Sequence, residues 1–207
     1  MISVTGIKIC GLTSEADAEL VNEFDIDYAG VVMFFPKSRR NTDPDTAGRI
    51  VRTLRDSIIP VAVTVKPTHE EIEEAVRCGF KYIQVHGDVK KELIEGSPLP
   101  VIKAFNVDDL PMLGEYNTYS NIVGYVFDAA DPGSGKTFDW DMLRGLDTGG
   151  RTVILAGGLN SENAAEAISR AAPDAVDVSS GTENDNGKGK SREKTAAFVS
   201  AVRSAEA

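Results

Sequence analysis

Cys10 and Asp128 are the two residues best placed in this chain to pass protons to and from a ligand, because each closes an apolar run where the backbone changes character. Cys10 stands in Lys8-Ile9-Cys10-Gly11-Leu12-Thr13. A cysteine taken alone is most often a small buried hydrophobe. A thiol between a strand and a glycine turn, however, has backbone amides and Lys8 near enough to favour the thiolate, the form that accepts a proton. Cys78 has no such setting: it lies late in an amphipathic stretch just before Gly79 and reads as packing. Asp128 follows the run 122–127 and precedes Pro132-Gly133-Ser134-Gly135-Lys136-Thr137-Phe138-Asp139-Trp140, a glycine-rich loop. An isolated aspartate there would be read as a loop cap. Gly135-Lys136-Thr137 imitates the tail of a nucleotide P-loop, but the first glycine of that pattern would fall on Ala130, and no long helix follows Thr137 directly.

Other polar residues mark candidate anion contacts. Gly157-Gly158 and Ser179-Ser180-Gly181 each follow an apolar run, and glycine-rich turns at strand ends let backbone amides approach a phosphate closely. Pro36-Lys37-Ser38-Arg39-Arg40 places three cations in five residues. A solvated run is the ordinary explanation, but a guanidinium at a strand end can fork onto a carboxylate or phosphate. His86 also closes a run and suits either a satisfied core histidine or a ligand contact, whereas His69 opens an exposed helix.

These residues need a scaffold that collects strand ends at one face. Apolar runs occupy residues 4–9, 28–35, 60–65, 82–85, 100–105, 122–127, 151–156 and 175–178. They are rich in Val and Ile and mostly lack strict alternation, as strands covered on both sides do. Helix punctuation lies between them. Asp43-Pro44 is a cap followed by proline at the first helical position. Thr68 and Glu71 fit a capping box, and Asn160 precedes a further helical stretch. The order is strand then helix, eight times over, at about 25 residues per unit, which predicts a single-domain (β/α)8 barrel spanning residues 1–207. An open doubly wound sheet is the competitor, but no GxGxxG turn follows the first strand. In a barrel, chemistry sits where strands end, and Cys10, Lys66, His86, Asn106, Asp128, Gly157 and Ser179 all fall there.

Composition narrows the partner. With 207 residues, 42% of them hydrophobic, the chain can bury one sizeable core. A net charge of -10 disfavours nucleic acid and anionic membrane surfaces, so the expected partner is a small molecule. Two cysteines without a CxxC pair, and no leader pattern near Met1, point to a reducing cytoplasm.

With these motifs in place the chain resembles the phosphoribosylanthranilate isomerases, barrel enzymes of tryptophan biosynthesis. The resemblance runs through Lys8 to Thr13, Phe35-Pro36-Lys37-Ser38 with Arg40, Gln84-Val85-His86-Gly87, Val101-Ile102-Lys103-Ala104-Phe105, the Asp128 loop, Leu155-Ala156-Gly157-Gly158-Leu159 and Val176-Asp177-Val178-Ser179-Ser180-Gly181-Thr182-Glu183. It implies Cys10 as general base, Asp128 as general acid, and Arg40 on the substrate carboxylate. It implies phosphate contacts at Gly157, Gly158, Ser180 and Gly181, with Asp177 also facing the substrate, and His86 is kept as a candidate substrate contact from its place at a strand end. The implied reaction is an Amadori rearrangement of N-(5-phosphoribosyl)anthranilate, with an acid and a base on opposite sides of the barrel mouth and no cofactor or metal. A phosphorylated small-molecule substrate and a monomer or homodimer are expected. Two departures stand out: Val61-Ala62-Val63-Thr64-Val65-Lys66 lacks the family's aromatic residue and terminal asparagine, and Ser191 replaces an aspartate, where it can still cap the last helix. The alternatives are a histidine-pathway aminoaldose isomerase, which resembles a two-aspartate design, and a barrel that binds phosphorylated ligands without turnover.

Overall fold

The computed structural model describes residues 4–129 and 137–205. Eight parallel strands close on themselves: β1 (Gly6–Cys10), β2 (Tyr28–Met33), β4 (Ile59–Val65), β5 (Tyr82–His86), β6 (Val101–Asn106), β7 (Ile122–Asp128), β8 (Thr152–Leu155) and β9 (Ala175–Val178). Pairing of β1 with both β2 and β9 completes the ring. A two-residue β3 (Asn41–Thr42) extends β2 outside it. Each expected run therefore overlaps one barrel strand. The 28–35 run stops early, at Met33, because Phe34 takes φ 59° and turns the chain out of the sheet.

Both faces of these strands are buried, with different neighbours. Ile7, Ile9, Val85, Phe105, Tyr125, Phe127, Val176 and Val178 face the helices in one large apolar layer. Cys10, Val61, Val63, Ile102, Ala104, Val126, Ile154 and Ala175 fill the interior. Burying such side chains stabilises the fold by about 1.5–3 kcal/mol each. Side chains alternate across a strand, so the inward set fixes the direction of its polar neighbours. Lys8 shares the inward face with Cys10, Gln84 and His86 face inward opposite Ile83 and Val85, Asp128 follows the parity of Val126, and Asp177 that of Ala175. The interior is thus apolar below and polar above.

The helices α1 (Glu15–Val21), α2 (Pro44–Thr53), α3 (His69–Cys78), α4 (Lys91–Glu95), α5 (Leu113–Tyr116), α6 (Ala164–Ala171) and α7 (Arg192–Ser204) pack around the barrel. Asp43 Oδ1 accepts from the Thr46 amide at 3.0 Å ahead of Pro44. Thr68 and Glu71 exchange both capping-box bonds, and Ser191 Oγ accepts from the Lys194 amide at 3.3 Å. Asn160 caps a turn rather than the helix itself, accepting from the Glu162 and Asn163 amides before α6 begins.

The eightfold strand-helix repeat is incomplete. Among the described residues, the stretch after β7 holds only a 3-10 turn, Trp140–Leu143. Gly145, Gly149 and Gly150 at positive φ break the rest. Arg170 of α6 holds that turn, reaching Asp139 at 2.6 Å and Asp141 at 2.8 Å and lying 5.6 Å from the Trp140 ring centroid. No helix among the described residues is long and apolar enough to cross a membrane.

Candidate active site

At the carboxyl ends of the strands lies a cavity of about 190 Å3. Cys10, Arg40, His86, Asp128 and Asp177 line it, and Gly157, Gly158 and Ser180 form part of its rim. Gly181 stands behind that rim, against the Leu159 carbonyl. Cys10 and Asp128 close β1 and β7, which β9 and β8 separate, so acid and base candidates stand three strand steps apart rather than directly opposite. Residues 130–136, which include most of the loop expected after Asp128, lie outside the described residues.

The two proton-transfer candidates are biased in the same direction. Burial pushes the Asp128 carboxyl up to about 6, helped by the nearby Asp177 charge, while the Ala129 amide, donating at 2.8 Å, and Lys8 pull it back. Such a carboxyl keeps a proton on a useful fraction of molecules near neutrality. Burial also raises the Cys10 thiol, ahead of the opposing influence of Lys8. The expectation that Lys8 and nearby amides make Cys10 a ready thiolate is therefore corrected: Lys8 does act on the thiol, but desolvation outweighs it.

His86 is held neutral. Burial, with Lys103 and Lys8 adding to it, drives its ring down to about 3, and its Nε2 lies 2.8 Å from Gln84 Nε2.

Several partners escape a linear reading. Glu183 receives Arg40 Nε at 2.5 Å and also pairs with Arg39. Its carboxyl is buried, yet the Arg40 hydrogen bond and charge hold it below its usual range. Arg39 further donates to the Gly187 carbonyl at 2.7 Å. Lys190 is buried and ties two strand ends together, its Nζ donating to the Cys10 carbonyl at 2.6 Å and the Ser179 carbonyl at 3.0 Å. Burial lowers Lys190 to about 8. Lys8 pairs with Asp177 at 2.8 Å in the barrel interior. Of these, only Lys8 carries a readable signal, a lysine two residues before Cys10 inside an isoleucine-rich strand.

Four buried polar atoms on residues that line this cavity lack a partner among the described residues: Arg40 Nη2, Gln84 Oε1, Asp177 Oδ1 and Ser179 Oγ. Unpaired buried polar atoms are costly, and their convergence on one cavity is the signature of a polar ligand site. The arrangement offers an acid, a base, a guanidinium edge and glycine-rich turns, which together suit proton transfer on a small anion.

Comparison with known proteins agrees with this chemistry. Residues 7–201 match the family model for N-(5'phosphoribosyl)anthranilate (PRA) isomerase. An N-(5'-phosphoribosyl)anthranilate isomerase of Moorella thermoacetica is 40% identical over 205 residues, covering 97% of this chain and 90% of that protein. The phosphoribosyl anthranilate isomerase structure from Thermus thermophilus superposes with a TM-score of 0.85 at 33% identity, covering 97% and 99% of the two chains. Another, solved with reduced 1-(o-carboxyphenylamino)-1-deoxyribulose 5-phosphate, gives 0.83 at 32% identity over the same shares. A match along most of its length, on a closed parallel barrel with a polar cavity at the carboxyl ends of its strands, places this chain in the N-(5'-phosphoribosyl)anthranilate isomerase family.

Proposed function

We propose that this chain isomerises N-(5'-phosphoribosyl)anthranilate to the 1-deoxyribulose 5-phosphate product, with Asp128 as general acid and Cys10 as general base. The observation that carries this reading is that both groups face one cavity bordered by unpartnered polar atoms. Protonated Asp128 gives its proton to the furanose ring oxygen as the C1–O bond breaks, and the anthranilate nitrogen lone pair forms the C1=N bond of a protonated Schiff base. The Cys10 thiolate then takes the proton on C2, and that bond's electrons form C1=C2 as the C=N electrons return to nitrogen. The enolamine gains a proton at C1 and loses the C2 hydroxyl proton, giving the aminoketose. Protons taken and given balance, so no other reagent enters.

The flanking groups suit the substrate's two anions. Gly157, Gly158 and the Ser180–Gly181 turn form the phosphate cradle, in the loops after the last two strands where barrels commonly hold phosphate. Arg40 takes the anthranilate carboxylate through the guanidinium edge that Glu183 leaves free. His86 and Asp177, which line the same cavity, contact the substrate between these two anions. Adding purified protein to phosphoribosylanthranilate and following loss of anthranilate fluorescence tests the reading directly. Unchanged fluorescence, with tight binding of a product analogue, would leave a binding barrel without turnover.

The arginines allow a sharper comparison. Arg40→Ala is expected to raise KM by about ten- to a hundredfold, the equivalent of about 1.5–3 kcal/mol for a charged hydrogen bond. Arg39 is half exposed and reaches Glu183 and Gly187 rather than the cavity. Its alanine variant is expected to change KM by only a few-fold. Michaelis constants at low and moderate salt separate the two cases, since losses that were equal and salt-sensitive would mean a diffuse field instead of a directed contact.

A further inference from the structure

We propose that the buried Lys8–Asp177 pair poises the two proton-transfer groups, Lys8 acting on the Cys10 thiol and Asp177 on the Asp128 carboxyl. This rests on the assignment of Cys10 and Asp128 as base and acid.

The geometry is specific. Lys8 is wholly buried, and its Nζ meets Asp177 Oδ2 at 2.8 Å across the β1–β9 register that pairs these residues. Beside them, Gly30 on β2 leaves a gap that both the ammonium and the thiol occupy. A Cβ placed there would stand 2.9 Å from Cys10 Sγ and 3.2 Å from Lys8 Nζ. Only a residue without a side chain lets the two groups lie against each other at that wall. Asp177 spends one oxygen on Lys8 and keeps Oδ1 unpartnered among the described residues, at the cavity that Asp128 also lines. A lysine with no route to solvent, aimed at a thiol and a carboxylate inside a barrel core, is an expensive element if packing alone were wanted.

The charges act in opposite senses on the two groups. Lys8 lowers the thiol and Asp177 raises the Asp128 carboxyl. Cross influences oppose these, since Asp177 also raises the thiol and Lys8 lowers the carboxyl, but in each case the cross influence is the weaker of the two. Lys8 itself is held above its ordinary value, Asp177 and Cys10 outweighing the burial that acts against its charge. Among the described residues, the other charged or titratable groups around Cys10 are Lys190, whose Nζ bonds the Cys10 carbonyl, Arg40 from the loop after β2, and neutral His86. Around Asp128 stand the Ala129 amide, which donates to it at 2.8 Å, and Asn106, its partner in the β6–β7 register.

The consequence for turnover has a definite sign. With the acid at about 6 and the base raised, the competent form, protonated Asp128 with thiolate Cys10, is a minority at every pH. Between the two values its fraction is constant and depends on their separation, so kcat/KM shows a plateau. It falls on the acid side with Asp128 and on the alkaline side with Cys10. Weakening Lys8 widens the plateau and lowers it.

The test titrates Cys10 without turnover, by iodoacetamide alkylation followed by mass spectrometry in a Cys78→Ser background. Alkylation tracks the thiolate fraction. Lys8→Met is expected to slow Cys10 alkylation at pH 8 about tenfold and to move the alkaline limb of kcat/KM upward. Asp177→Asn is expected to speed alkylation and to lower the Asp128 carboxyl midpoint, read by 13C NMR. Opposite movements in the two variants support the pair as a poise for both groups. Unchanged rates in both, or changes of the same sign, would overturn it. If Lys8→Met does not fold, the Asp177→Asn thiol and carboxyl readouts decide. Because alkylation needs no catalysis, an error in the acid and base assignment would show instead as a Cys10→Ser variant that still turns over.

Discussion

Cys10→Ser and Asp128→Asn are each expected to lower kcat by about 10²–10⁴-fold, the usual worth of a general acid or base, with the fold intact. Serine fills nearly the volume of cysteine, and its hydroxyl can sit beside Lys8 without a new void. It cannot remove a carbon-bound proton, because its own proton is held far more tightly than a thiol's. Asparagine keeps the shape of Asp128 and can still accept from the Ala129 amide, which the aspartate does at 2.8 Å. It has no acidic proton for the ring oxygen. Both changes remove transition-state interactions, so kcat and kcat/KM should fall together while KM stays within a few-fold. Cys78→Ser is the control. Its thiol lies between α3 and α2, 3.4 Å from the Pro44 carbonyl, and serine can keep that contact. Circular dichroism and thermal melts establish that all three fold. Retention of more than about a tenth of parental kcat by either site variant would remove that residue from the mechanism, given the scale such groups supply.

Much of this arrangement is legible in the chain because a parallel barrel leaves strong local marks. Its strands are covered on both sides, so they read as short apolar runs, and every one of the eight runs overlaps a strand. Polar residues that end such runs then fall at one face, which brings Cys10, His86, Asp128 and Ser179 to a common cavity. What escapes is long-range or conformational. Glu183 meets Arg40 across 143 positions, and nothing near either residue announces the other. Phe34 leaves the sheet through a left-handed backbone that no apolar count can register. The stretch after β7 fails to form an α-helix among its described residues because its glycines turn it and Arg170 pins it, a tertiary override of a repeat that holds elsewhere. The buried state of Cys10 is hidden for a related reason: neighbours that favour a thiolate are visible in Lys8-Ile9-Cys10, but the desolvation that outweighs them belongs to the closed barrel.

The last two strands of that barrel carry the second large effect, expected at Gly181. A Cβ on this residue would stand 2.2 Å from the Leu159 carbonyl oxygen, 3.0 Å from Val178 Cγ2 and 3.2 Å from Asn160 Cα. The first contact is with backbone, so it cannot be relieved by a rotamer change. Carbon and oxygen need well over 3 Å, so one loop must retreat from the other by about 1 Å. Leu159 belongs to the turn containing Gly157 and Gly158, and Gly181 to the turn that starts at Ser180, the two halves of the proposed phosphate cradle. A displacement of that size between groups that grip one ligand costs about a hundredfold. Gly181→Ala is therefore expected to raise KM for the phosphorylated substrate about a hundredfold, and to weaken competition by inorganic phosphate in parallel. The Cys10 alkylation rate should change far less than KM, since that thiol lies on β1, outside the two displaced loops. Gly114→Ala supplies the comparison, because a Cβ added at that position in α5 would have nothing within 4 Å and the change should leave KM as it is. Phosphate competition unaltered in Gly181→Ala, with KM raised, would mean that the two loops hold some other part of the substrate and that the phosphate sits elsewhere.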